Sequence, residues 1–162
     1  MTKNLLSSFE DRLVLPIANR LRDPALLFVR VVQGWLFFQT GSGKLGNLAG
    51  TTEFFASLGL PAPGFHAVAI GLLEAIGGVL MMVGLGTRTI GALLFGNMAV
   101  AYLTAHRDAF GGIRDFTDAA PYPFLLAALL VLAFGPGRFA LDTLLRRSTP
   151  AATRTPSLST SS

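Results

Sequence analysis

Two residues of opposite charge, Arg30 and Glu74, stand inside long apolar stretches of the chain. A charged side chain at the centre of a membrane span costs about 2.5–3.5 kcal/mol on insertion scales, so such residues mark pairing, proton handling or ligand binding. Gln33 lies one helical turn beyond Arg30, and Asn97 is the single strongly polar side chain between Ile90 and Thr104. With a rise of 1.5 Å per residue, Arg30 sits about 9 Å, Asn97 about 12 Å, Gln33 about 13 Å and Glu74 about 16 Å from one face of a bilayer. These depths, with the reach of an arginine arm, predict one cluster of Arg30, Gln33, Glu74 and Asn97. It serves either as an ion pair that fixes helix packing or as a site where Glu74 relays a proton and Arg30 tunes it. Both roles remain open at this point.

A second group gathers at the opposite face. Lys44 ends the first apolar stretch, His66 begins the second, His106 ends the third and Tyr122 begins the fourth. Two histidines at one depth could hold a b-type haem, but no HxxxH or similar spacing accompanies them. Histidines meeting water at the interface are the simpler reading, so haem is disfavoured and no metal is expected. A cationic, aromatic pocket for a quinone head group or a small anion suits Lys44, His106 and Tyr122 better. Tyr122, Trp35 and Tyr102 also suit an interfacial aromatic belt. The chain has no cysteine. That excludes disulfides, thiolate catalysis and covalent haem in this chain, so redox chemistry here needs a non-covalent cofactor or a partner.

The elements that must position these residues follow from composition. Of 162 residues, 51% are hydrophobic and only 14% are charged, against about 25% charged in a soluble domain. Mean hydropathy is +0.56. Four stretches approach the ~20 residues needed to cross a bilayer: Pro24 to Gly43, His66 to Leu85, Thr89 to Ala105 and Ala119 to Gly135. Phe124 to Phe134 carries no polar side chain, and a chain this short cannot bury such helices in a soluble core. The fold class expected is therefore all-α, a four-helix transmembrane bundle. The basic pI of about 10.3 accompanies a net charge of only +4 and no dense basic block, which argues against a nucleic-acid partner. Instead it orients the chain. Lys3, Arg12, Arg20, Arg22, Arg88, Arg138, Arg146, Arg147 and Arg154 fall on one side, and Lys44, Arg107 and Arg114 on the other. Both termini are thus expected in the cytoplasm.

Residues 1–23 repeat Leu5, Phe9, Leu13, Ile17 and Leu21 between charges, predicting an interfacial amphipathic helix broken or kinked at Pro16. The four-span domain is expected over 24–137. A short interfacial helix follows over 138–147, with Phe139, Leu141, Leu144 and Leu145 facing lipid, and 148–162 reads as a disordered tail. In the long connection Ser42 to Phe65, Thr52 to Leu58 predicts a short helix. Thr51 or Thr52 would cap it, Gly59 would end it and Pro61 would stop it.

Several pieces, in order, resemble the DoxX family. They are the Arg30-containing stretch ending in Gly41-Ser-Gly-Lys44-Leu45, then Phe55-Ala-Ser-Leu-Gly-Leu-Pro61, then Glu74-Ala-Ile-Gly-Gly78. Gly84-Leu-Gly-Thr-Arg88, Ala105-His106, Tyr122-Pro123 and Gly135-Pro-Gly-Arg-Phe-Ala-Leu-Asp142 complete the series. The likeness runs from about Ala25 to Asp142. It implies a small four-helix integral membrane protein of the bacterial cytoplasmic membrane. DoxD-type relatives form the membrane subunit of a thiosulfate:quinone oxidoreductase, and others associate with redox or stress-defence partners. Arg30, Lys44, Glu74, Arg88 and His106 are the positions the resemblance carries over.

The function expected is a membrane subunit or accessory of a quinone-linked oxidoreductase. Glu74 and Arg30 would do proton chemistry, and Lys44, His106, Tyr122, Gln33 and Asn97 would bind quinone or substrate. Partners expected are the bilayer, a soluble or membrane oxidoreductase subunit, and further copies of the chain. The alternatives are a non-enzymatic scaffold for redox or stress-defence proteins and a small proton-coupled carrier.

Overall fold

A computed structural model describes residues 14–148. The first part of the expected amphipathic helix, residues 1–13, and the tail from 149 onward lie outside the described residues. The helices are α1 (Leu15–Gly46), α2 (Leu48–Ser57), α3 (Pro63–Val83), α4 (Thr87–Thr104), α5 (Ile113–Asp118), α6 (Tyr122–Phe134) and α7 (Leu141–Ser148). A 3-10 turn, Arg107–Gly111, precedes α5. No strand occurs among the described residues.

The four apolar stretches fall in α1, α3, α4 and α6. Helix α1 packs along α3 and α4 along α6, while α3 meets α4 and α1 meets α6. Among the described residues, α3 is the one helix both long and apolar enough to cross a membrane. Helix α6 is fully apolar but has 13 residues, about 20 Å. The outward faces of these helices are apolar: Phe28 and Trp35 on α1, Phe65, Leu72 and Ile76 on α3, Leu93 and Leu103 on α4, and Leu129 on α6 are all exposed. Buried instead are Arg30, Glu74 and Thr87. In water, so large an exposed apolar surface would aggregate; in lipid it is solvated.

Helix–helix approach is set by small residues. A Cβ at Gly34 would stand 2.6 Å from the Gly78 carbonyl oxygen, and one at Gly78 would stand 2.6 Å from the Phe38 nitrogen. Gly41 lies as tightly against Gly71 and Ala75. The two antiparallel helices thus touch backbone to backbone, an approach that only small residues permit. Gly77 instead faces Ile90 and Leu94 of α4. Phe37, Met81, Leu94, Met98, Ala128 and Val131 form the core between the helices.

Three expected boundaries shift. Helix α1 runs through Pro24 without a break, so no helix boundary separates residues 15–23 from the first apolar stretch. A proline inside a helix removes one hydrogen bond. Here the surrounding turn is held from outside, because Asp23 Oδ1 accepts from the Arg138 N–H at 3.1 Å. Pro16 lies in the first turn of α1, where its missing N–H is harmless. Helix α2 begins at Leu48, ahead of the threonines. Asn47 caps it, its Oδ1 accepting from Gly50 N–H at 3.2 Å, while Gly59 (φ 74°) ends it as expected. Helix α7 begins at Leu141 rather than Arg138 and leaves Phe139, Leu144 and Leu145 exposed.

Candidate functional site

Glu74 is 2% exposed, and both its oxygens are held. Lys44 Nζ donates to Oε2 in a short ion pair from α1, and Asn97 Nδ2 donates to Oε1 at 2.9 Å from α4. Three helices therefore converge on one carboxylate. The cation beside Glu74 is Lys44, not Arg30.

Arg30 lies elsewhere, and this corrects the predicted cluster. Its guanidinium is 1% exposed and spans three backbone carbonyls. Nε donates to Met81 O at 3.0 Å, Nη2 to Met82 O at 3.0 Å and Nη1 to Pro136 O at 2.5 Å. The cause is the direction of side chains on antiparallel helices. Each Cα–Cβ bond leans toward its own helix N-terminus. Arg30 therefore leans toward the start of α1, while Glu74 leans the opposite way. Arg30 reaches the level of Met82, eight residues from Glu74, a separation of about 12 Å along the axis. The same lean brings the Lys44 arm back down α1 to Glu74.

Gln33 also stays out of the cluster, and its Oε1 is buried with no hydrogen-bond partner. Asn97 is the one member of the predicted inner group that meets Glu74.

Above the carboxylate opens a cavity of about 290 Å³. Its charged, amide and imidazole lining comes from Lys44, Glu74, Asn97, His66 and His106, so it joins members of both predicted groups. Its walls are apolar, with Phe54 and Phe55 of α2, Ile70 of α3, Met98 and Val100 of α4, and Phe124 of α6. Tyr122 does not line it. That ring stands edge-on to Phe116 at 6.0 Å, in an aromatic group that braces the 3-10 turn and α5. Tyr102, read as a belt residue, is buried there as well. It stacks on Phe116 at 4.5 Å and donates its hydroxyl to Phe116 O at 2.7 Å. Sequence reasoning missed Thr40, which lines the cavity one turn before Lys44. Its position on the Lys44 face was the signal available.

The opposite end of the molecule is a knot of backbone. Asp142 accepts from Gly86 N–H, Thr87 N–H and the Thr87 hydroxyl, each at 2.8 Å. It thereby caps α4 from a distance of 55 residues. Burial pushes the Asp142 carboxyl up, but the Thr87 and Gly86 hydrogen bonds and the charge of Arg146 outweigh that and hold it below the usual aspartate value. Gly84 sits at φ 76°, and a Cβ there would strike the Arg30 guanidinium. Arg30, the Gly84–Arg88 run and the Gly135–Asp142 run, far apart in sequence, form this single structural joint.

The DoxX family model matches residues 25–107. The chain is 36% identical over 125 residues to "Putative oxidoreductase CatD" of Bacillus subtilis (strain 168), covering 76% of this chain and 89% of the relative. It is 28% identical over 129 residues to "Inner membrane protein YqjF" of Escherichia coli (strain K12), covering 80% and 98%. It is 28% identical over 132 residues to "Inner membrane protein YphA" of the same organism, covering 75% and 90%. No solved structure matches the chain.

Proposed function

Because the chain belongs to the DoxX family of membrane proteins, we propose that it is the membrane subunit of a quinone-linked oxidoreductase. It crosses the bacterial cytoplasmic membrane four times with both termini inside. The nine-to-three division of basic residues supports that orientation. The observation that carries the function is the Glu74–Lys44–Asn97 cluster on the floor of a cavity with mostly apolar walls. The oxidoreductase name of the Bacillus subtilis relative points the same way.

A quinone head group fits this donor set, since it needs apolar contact for its ring and hydrogen-bond donors for its carbonyl oxygens. When bound, it supplies a two-electron, two-proton acceptor. This chain's residues do the rest. Lys44 presents ammonium protons into the cavity, Asn97 fixes the plane of the Glu74 carboxylate, and Glu74 is placed to hold a proton beside the ligand. His66 and His106 line the same cavity and offer exchangeable ring protons. Arg30 acts by locking the helices rather than by touching the site. Electrons come from a partner oxidoreductase, and thiosulfate is the donor the DoxD-type resemblance suggests.

The test is a lipid extract of the detergent-purified protein, followed by quinone reduction with thiosulfate, alone and with co-purifying partners. Quinone is expected in the extract, and at a much lower level from the Lys44→Met/Glu74→Gln double variant. A quinone-free extract with no reduction in either assay overturns the proposal. A scaffold function rests on a different observation, the amphipathic α7 with exposed Leu144 and Leu145. Cross-linking in native membranes that recovers a soluble partner without any quinone would favour it.

A further inference from the structure

The cavity is too small for a whole lipid-soluble molecule. Its volume of about 290 Å³ lies at the lower limit of ligand pockets, about 300–1,000 Å³. That is room for one substituted ring and no long hydrocarbon tail. The rest of such a ligand must leave through the mouth, so the residues at the mouth identify what passes.

Two large apolar side chains line the cavity and are also exposed: Phe54 of α2, at 51%, and Val100 of α4, at 48%. Helix α2 packs on α3, and α4 packs on α6, so the cavity fills the space between α2 and α4. Val100 lies four residues before the end of α4, about 6 Å along the axis. With α4 spanning the membrane as proposed above, that depth is inside the hydrocarbon of a bilayer roughly 30 Å thick. Lys44, Glu74 and Asn97 occupy the floor, and the residues of α2 and α4 that line the cavity beside Phe54 and Val100 carry no charge; Glu53, next to Phe54 on α2, is exposed but stays out of the lining.

We infer that the cavity opens sideways into the membrane between Phe54 and Val100, and that it takes the ring of a tailed ligand whose hydrocarbon chain remains in this gap, in lipid. The inference rests on the head-group reading above and narrows its substrate class to bilayer-dissolved, long-tailed molecules. Water-borne ligands would instead come past His66 and His106.

The chain has no native cysteine, so Val100→Cys can be labelled with a bulky maleimide at one position. Leu93→Cys is the control, exposed on the same face of α4 two turns away and outside the cavity lining. Binding of a decyl-tailed benzoquinone and of a tail-less benzoquinone is measured by equilibrium partition into proteoliposomes. The label at Val100→Cys should weaken the tailed quinone by about tenfold or more relative to the unlabelled Val100→Cys protein, and the tail-less one by a several-fold smaller factor. The label at Leu93→Cys should change neither. Unchanged binding of the tailed quinone, or equal loss of both quinones, overturns the lateral opening while leaving the head-group site standing. A wild-type protein that binds neither quinone overturns the head-group reading, and this inference with it.

Discussion

Lys44 reaches back along α1 to give an ammonium proton to Glu74 Oε2, while Asn97 holds Oε1 from α4. The lysine side chain is 28% exposed and faces the cavity, whereas the glutamate is 2% exposed. The pair is thus a buried anion with a half-open cation. Removing one partner of a buried pair strands the other at a cost of several kcal/mol, whereas replacing both is often nearly neutral. Lys44→Met should therefore lower stability by about 3 kcal/mol, and Lys44→Met with Glu74→Gln should recover most of it. Reversible unfolding of the single and double variants in detergent checks this. Equal stabilities for the two would show that Glu74 does not depend on Lys44.

Arg30 is predicted to matter for stability and not for ligand binding. Its planar fork serves Met81, Met82 and Pro136 carbonyls at once, a geometry that a lysine ammonium cannot copy. Each stranded buried acceptor costs about 1–3 kcal/mol, so Arg30→Lys should lose at least about 2 kcal/mol. The folded fraction should bind quinone as the wild type does. A large change in affinity with little loss of stability would place Arg30 in the site after all.

Gly34→Ala should separate α1 from α3, because its methyl would meet the Gly78 carbonyl oxygen at 2.6 Å. Overpacking of this kind costs about 1–3 kcal/mol. Gly43, on the same helix, has nothing within 4 Å of its would-be Cβ, so Gly43→Ala should be neutral or stabilising by up to about 1 kcal/mol. Thermal melts of the two variants decide it, and matching melts would rule out the backbone contact.

The Asp142 latch has a defined pH sense. Its folded pKa lies below the ordinary value of 3.8. The ionised form is therefore favoured by folding, and the stabilisation is fully present above about pH 4. It is lost as pH falls through the folded pKa. Wild-type stability should thus fall more steeply than that of Asp142→Asn between pH 4 and the acid limit of the assay, with the two curves parallel above pH 5. Parallel curves throughout would mean that the carboxylate is not held by Gly86 and Thr87.

Much of the architecture follows from the sequence alone. Apolar stretches without a polar face can be satisfied only as helices whose outer surfaces meet lipid, so the all-α class and the approximate helix positions were legible. Asn97 could be matched to Glu74 by depth. Tertiary structure decided which cation neutralises Glu74. Depth along a helix axis says where a Cα lies, but not which way its side chain leans, and antiparallel helices lean in opposite directions. That sent Arg30 to the Met81, Met82 and Pro136 carbonyls and Lys44 to the carboxylate. The Asp142 cap on α4 was equally beyond a linear reading, since 55 residues separate donor from acceptor. A pocket holding Lys44 and His106 was expected from the sequence, but its extension down to Glu74 and Asn97 was not. It exists where α2 and α4 do not close over Glu74, and a gap between helices has no signature in either helix's own residues.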